Sequence, residues 1–326
     1  MKLTMDLGLV VIAYKEGDRE SKAACQRCAE QLRRRGVTVL TAPTGLHHNP
    51  YPVFLEATSD PIDLAVVLGG DGSVLAAARY LAPHGIPILP IKAGGRLGFL
   101  AQSERVLQQD PWDRIQAGDF FLQARMMLQA QIWEQPQLGQ GDPLAARGEG
   151  KSQGRPASEV YYALNEICLK PINRERLPAA IMEIEVNGEI LDQYHGDGVL
   201  VATPTGSTSY TLAANGPILE PTLDAIIITP ICPLSLSSRP IVISGTARVD
   251  IWPLADPEGL TRLWTDGVLA QSVNPGQWVH IQQAPTPAKL MILEKELSYF
   301  RTLREKLQWA GSRIYIPTTN HRPEGG

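Results

Sequence analysis

The stretch Val66-Val67-Leu68-Gly69-Gly70-Asp71-Gly72-Ser73-Val74-Leu75 restricts this chain more than any other. Leu64, Ala65, Val66, Val67 and Leu68 form an unbroken apolar run of strand length, as a strand buried on both faces requires. Three glycines around one aspartate follow. From Ser73 the apolar residues Val74, Leu75, Ala78 and Leu81 recur with helical period. The unit reads as strand, glycine turn, helix. Glycine lets a backbone approach a ligand closely, and free amides at a helix start favour anionic phosphate. An aspartate adds negative charge where phosphate must sit. Asp71 therefore suits accepting a proton from a hydroxyl, or helping to hold a metal that neutralises phosphates. A simpler reading, in which Asp71 only caps the helix, stays open at this point.

The same alternation runs through the first third of the chain. Strands are expected at 7–13, 37–40, 64–68 and 86–91, with a helix at 21–35 closed by Gly36. Its arginines, Arg27, Arg33, Arg34 and Arg35, read as a solvated face. This order implies a doubly wound, mostly parallel sheet with ligands at the carboxyl ends of its strands. The Gly69 turn and the stretch Lys92-Ala93-Gly94-Gly95-Arg96-Leu97-Gly98 both fall at such ends and can line one crevice.

After Gly118 the pattern changes. A long strand is expected over 120–133, then a flexible insertion over 134–157, rich in Gln, Gly, Pro and charge. Short strands and turns fill 160–293, with Asn187-Gly188 and Asp266-Gly267 as hairpin turns. The expected organisation is an α/β domain over 1–119, a β-rich, sandwich-like domain over 120–297, and a C-terminal helix with a polar tail over 298–326. The helix is expected to pack back on the first domain.

Composition bounds the partners. A net charge of −4 and an ordinary 20% of charged residues argue against a nucleic-acid surface. No apolar run reaches membrane-spanning length, and the N-terminus reads as a first strand, not as a signal peptide. Cys25 and Cys28 have CxxC spacing inside a helix with no second pair, and read as structural thiols. A cytoplasmic protein is the expectation.

Four further stretches carry residues that strand packing would not select. Asn165-Glu166 sets an amide beside a carboxylate; Asn offers the donor and acceptor needed to read an adenine edge or vicinal hydroxyls. Asp197 sits in a Gly-Asp-Gly turn. Thr205, Ser207, Thr208 and Tyr210 belong to a hydroxyl-rich loop opening a short helix, suited to a base and sugar. The loop 230–240 is framed by prolines and holds Arg239. Each stretch also has a local role as cap or turn.

Together these pieces resemble the NAD kinase family. The resemblance rests on Gly69-Gly70-Asp71-Gly72-Ser73, the stretch 94–100, Leu164-Asn165-Glu166, Gly196-Asp197-Gly198, and the runs 203–210 and 230–242, in the family's order. The variant Ala213-Ala214-Asn215-Gly216-Pro217 looks like cyanobacterial members. The resemblance implies ATP-dependent phosphorylation of the adenosine-ribose 2′-hydroxyl of NAD with a divalent cation such as Mg²⁺, in a homodimer or homotetramer. It implies Asp71 as the proton acceptor. Gly70, Gly72, Ser73, Lys92 and Arg96 would lie in the nucleotide crevice. Asn165, Glu166, Asp197, Thr205, Ser207, Thr208 and Tyr210 would bind the dinucleotide. Lys92 and Arg96 depart from the residues common in the family, which bears on donor and dinucleotide selectivity. Two alternatives accompany this reading: a lipid or sugar kinase sharing the glycine turn, and a non-catalytic NAD(P) sensor.

Overall fold

The computed structural model describes residues 5–45, 47–93, 98–134, 154–172, 180–254, 260–294 and 298–309. The first part runs β1 (Leu9–Lys15), α1 (Arg19–Arg34), β2 (Thr38–Thr44), α2 (Tyr51–Glu56), β3 (Leu64–Leu68), α3 (Asp71–Leu81), β4 (Ile88–Lys92), β5 (Gln102–Ser103), α4 (Pro111–Gln116) and β6 (Phe121–Arg125). Next come β7 (Leu128–Glu134), β8 (Arg155–Pro156), β9 (Tyr161–Ala163), β10 (Glu166–Pro171), β11 (Ala180–Val186), β12 (Glu189–Gly196) and β13 (Gly198–Ala202). The chain continues through α5 (Tyr210–Ala213), β14 (Ala225–Ile231), β15 (Ile241–Ser244), β16 (Val249–Pro253), β17 (Thr261–Thr265), β18 (Val268–Ser272) and β19 (Gln277–Gln283). It closes with β20 (Ala288–Ile292) and α6 (Tyr299–Lys306).

The first sheet has the order β2-β1-β3-β4-β20-β6, with β5 beside β4. β2, β1, β3, β4 and β20 pair in parallel, and β6 closes the edge antiparallel to β20. Alternate residues of β1 serve opposite faces. Val11 packs with Val67 and with Val74, Ala77, Ala78 and Leu81 of α3. Val10 and Ile12 pack with Ala24, Cys25, Cys28 and Leu32 of α1. The CxxC pair is thus core packing, and burial pushes the two thiols up to about 11 and about 12.

Two antiparallel sheets form the second part, in the orders β15-β14-β13-β10-β17-β18 and β12-β11-β16-β19-β7-β8, with β9 beside β7. Leu128, Ile132, Ile184, Val279 and Ile281 of one sheet meet Ile167, Leu169, Val199, Val201 and Leu263 of the other in one core. This is a β-sandwich. α6 packs back through Tyr299, whose hydroxyl donates to the Leu219 carbonyl at 3.0 Å, and through buried Leu303.

The structure corrects several strand expectations. The single strand expected over 120–133 is two strands in different sheets, separated at the buried Met126 and Met127. The last strand of the β-rich region, β20, returns to the first sheet between β4 and β6. A continuous apolar stretch carries no mark of which sheet it joins, because that choice depends on partners far along the chain. Glu134 and 154–157, the ends of the expected insertion, are ordered: Arg155 and Pro156 pair with Glu134 and Trp133. Its middle, 135–153, lies outside the described residues. Among the described residues, no helix is long and apolar enough to cross a membrane.

Candidate active site

The glycine turn sits at the carboxyl end of β3, between the ends of β1 and β4. α3 begins at Asp71 itself, with Gly70 as its N-cap. Asp71 therefore does not cap the helix by its side chain. Its two carboxylate oxygens instead accept the backbone N–H groups of Phe99 at 2.7 Å and Leu100 at 3.1 Å. A Cβ at Gly98 would lie 2.1 Å from Asp71 Oδ1, so this approach needs glycine there. The two amides use two of the carboxylate's roughly four acceptor positions and leave the others open.

Gly70, Gly72, Ser73 and Lys92 line a cleft of about 1570 Å³, which continues along α3 to Arg79 and reaches Asp266 and Gly267 of the sandwich. No atom lies within 4 Å of where a Gly72 Cβ would point, so the turn is open on that side. Lys92 ends β4, and its Nζ lies 3.6 Å from the Cβ position of Gly70. Lys15, at the end of β1, lines the same cleft. The turn is thus flanked by a lysine on each neighbouring strand. Arg96 lies outside the described residues.

In sequence, 161–169 reads as one strand with Asn165 and Glu166 at its middle. The strand breaks there instead. β9 pairs with β7 in one sheet and β10 with β13 and β17 in the other, so the chain crosses between sheets at Leu164 and Asn165. A crossing strips backbone amides of ladder partners, and buried amides need others. Asp266 supplies them: its carboxylate accepts the N–H groups of Leu164 at 3.1 Å, Asn165 at 2.7 Å and Glu166 at 3.3 Å. Its fourth partner is Nη1 of Arg79 at 3.3 Å. Sequence reasoning read Asp266-Gly267 only as the hairpin turn between β17 and β18. That turn exists, but nothing near Asp266 in sequence marks its service to residues a hundred positions away.

The hydroxyl-rich loop docks onto this crossing. Gly206 lies so close that a Cβ would sit 2.1 Å from the Asn165 carbonyl oxygen. Thr203 donates its N–H to the Asn165 carbonyl at 2.9 Å and its hydroxyl to the Leu164 carbonyl at 2.6 Å. Ser207 is fully buried; its hydroxyl bonds the Pro204 carbonyl and the Leu219 backbone, so it shapes the loop. Thr208 bonds the Thr205 carbonyl, and Tyr210 opens α5 partly exposed. Thr205 Oγ1 and Glu166 Oε2 are buried here without a hydrogen-bond partner among the described residues, as are Thr211 Oγ1 of α5 and Thr229 Oγ1 of β14. Burial, and then the charge of Asp266, push the Glu166 carboxyl up to about 7, against the opposing Ser209 hydroxyl and Tyr210 amide. Burial also raises Asp266, with Arg79 and the three amides opposing. Asp197 is exposed between β12 and β13 and does not line the cleft.

Comparison with known proteins meets this architecture piece by piece. The ATP-NAD kinase N-terminal domain model matches residues 10–120, and the ATP-NAD kinase C-terminal domain model matches 164–293. NAD kinase 1 of Thermosynechococcus vestitus is 50% identical over 320 residues, covering 98% of this chain and 100% of that protein. The chain belongs to the NAD kinase family. NAD kinase 1 of Synechocystis sp. is 52% identical over 318 residues, 97% of this chain and 99% of its own length.

Solved structures share the NAD kinase fold at lower identity. Yeast NADH kinase complexed with NADH superposes with a TM-score of 0.74 at 24% identity, over 94% of this chain and 90% of that one. An NAD kinase from Archaeoglobus fulgidus in complex with ATP gives 0.63 at 22%, over 93% and 99%. Membership makes the chain an enzyme of this family, which sets aside the lipid- or sugar-kinase and sensor alternatives.

Proposed function

We propose that this enzyme transfers the γ-phosphate of ATP to the 2′-hydroxyl of the adenosine ribose of NAD, giving NADP and ADP, with Asp71 as general base. The observation that carries the reading is the Asp71 carboxylate, pinned by two amides beside an open glycine turn at the head of α3. The 2′-oxygen attacks the γ-phosphorus, the bond to the β-phosphate oxygen breaks, and the hydroxyl proton passes to a free acceptor position on Asp71. An alcohol is a weak nucleophile, so a fixed carboxylate within reach raises its electron density as the new bond forms. Gly70 and Gly72 offer amides to the phosphates, Ser73 a hydroxyl, and Lys92, Arg96 and Lys15 positive charge. Asn165, Glu166, Thr205, Thr208 and Tyr210 bind the dinucleotide; Asp197, exposed away from the cleft lining, is left out of this set. The partnerless Thr205 Oγ1 and Glu166 Oε2 support this, because buried polar atoms ordinarily have partners.

Among the described residues, no three His, Cys, Asp or Glu side chains converge as a metal cage. A magnesium ion that keeps its waters and enters on the triphosphate needs only one or two carboxylates, and a cleft with Glu16 in its lining and Asp71 beside the glycine turn fits that mode. Such an ion supplies neutralisation of phosphate charge. The reading includes a homodimer or homotetramer in the cytoplasm; light scattering on the purified protein tests the first point.

NADP formation from NAD, ATP and magnesium, read with an NADP-specific dehydrogenase, tests the reaction. Asp71→Asn keeps nucleotide binding and loses on the order of a hundredfold or more in rate. A variant within a few-fold of wild type would show that Asp71 is not the base.

A further inference from the structure

α3 carries a charged group near each end: Asp71 beside the glycine turn, and Arg79 in the cleft lining. Asp71 is its first residue, and Arg79 lies about 12 Å further along the axis at 1.5 Å per residue. Gly72, Ser73, Ala76 and Arg79 share the face that lines the cleft. Val74, Ala77, Ala78 and Leu81, on the opposite face, are wholly buried against the first sheet. The helix therefore cannot roll or slide without opening the core.

Arg79 reaches from this fixed helix into the sandwich. Its Nη1 lies 3.3 Å from Asp266 Oδ2, with side chains 14% and 0% exposed respectively. This is not one of the solvated surface pairs that contribute little. Asp266 in turn holds the amides of Leu164, Asn165 and Glu166. A continuous path runs from Asp71 along α3 to Arg79, through Asp266, and on to the Asn165–Glu166 crossing. The first end belongs to one layer of the molecule and the last to the other.

Resting on the reading of this cleft as the NAD kinase site, we propose that Arg79 is a positioning residue, which sets where the dinucleotide-binding crossing stands relative to Asp71. It acts through Asp266 and touches no reacting atom. Loss of the guanidinium leaves Asp266 buried without its cation and frees the crossing to shift against the helix. Misplacement by about 1 Å is enough to cost on the order of a hundredfold in rate. Lysine keeps the charge but lacks the planar fork, so it restores the contact only in part.

The test compares wild type, Arg79→Met and Arg79→Lys in full steady-state kinetics, with NAD binding measured by calorimetry and melting recorded beside them. The expected result for Arg79→Met is a rise of about tenfold in KM and Kd for NAD and a tenfold to hundredfold fall in kcat. KM for ATP stays within twofold, because the turn and the head of α3 are untouched. Arg79→Lys falls between. A merely structural role would lower the melting temperature and the active fraction while leaving both KM values alone; that result overturns the proposal. So do equal losses toward both substrates. If Arg79→Met is insoluble, Arg79→Lys decides alone: an unchanged KM for NAD overturns the proposal, and a raised one supports it. A folded wild type that makes no NADP would instead overturn the reaction assignment, so the two failures are distinguishable.

Discussion

Replacing Glu166 by Gln changes how stability depends on pH, in a direction set by the burial of this carboxyl. Glu166 is 5% exposed, its Oε2 has no partner among the described residues, and the buried Asp266 stands beside it. Its folded-state value is raised from the ordinary 4.5 to about 7. A raised acid binds its proton more tightly when folded. Its contribution is therefore complete below pH 4.5 and disappears as pH rises through about 7. A rise of between two and three units corresponds to about 3 kcal/mol, at roughly 1.4 kcal/mol per unit. Glutamine cannot ionise, so the variant lacks this loss. It carries its own cost, a buried amide N–H group without an acceptor, of about 1–3 kcal/mol. That cost does not vary with pH, so slopes must be compared rather than absolute stabilities. The assay is urea unfolding of ligand-free wild type and Glu166→Gln at closely spaced pH values from 5 to 8. The wild-type curve should fall relative to the variant across this range by about 3 kcal/mol, shared in part with Asp266 because the two carboxylates titrate as a pair. Parallel curves would refute the reasoning and mean that Glu166 stays ionised without penalty.

Two other substitutions separate local fit from chemistry. Gly98→Ala puts a Cβ 2.1 Å from Asp71 Oδ1. The carboxylate must swing off its two amides, so kcat should fall by about a hundredfold while melting shifts only a few degrees; retained kcat would show that the amides do not matter to Asp71. Asn165→Ala removes a side chain whose backbone is held independently by Asp266 and Thr203. It should fold normally and raise KM for NAD about tenfold, for one or two lost hydrogen bonds at about 1 kcal/mol each; an unchanged KM would limit Asn165 to a structural role.

Much of this protein is legible along the chain because it is encoded by neighbours. The apolar run 64–68, the glycine turn and the helical period after it define a strand–turn–helix without tertiary help, since hydrophobic period and backbone freedom are local properties. The Asn187-Gly188 and Asp266-Gly267 hairpins were readable for the same reason. The motif residues were visible too, although their partners were not. Asp71 reads in sequence either as a proton acceptor or as a cap; only the fold brings the 98–100 segment onto its carboxylate. The run 161–169 looks like one strand because nothing local says that its halves belong to different sheets. Asp266 looks like a turn residue, yet it replaces the ladder bonds lost at that crossing, with Arg79 as its buried cation. Sequence by itself determined the strand–turn–helix unit, the tight hairpins and the chemistry on offer. Tertiary structure alone decided which groups meet, because amides stripped at a sheet crossing and a charge buried beside them can be satisfied only by residues brought from far along the chain.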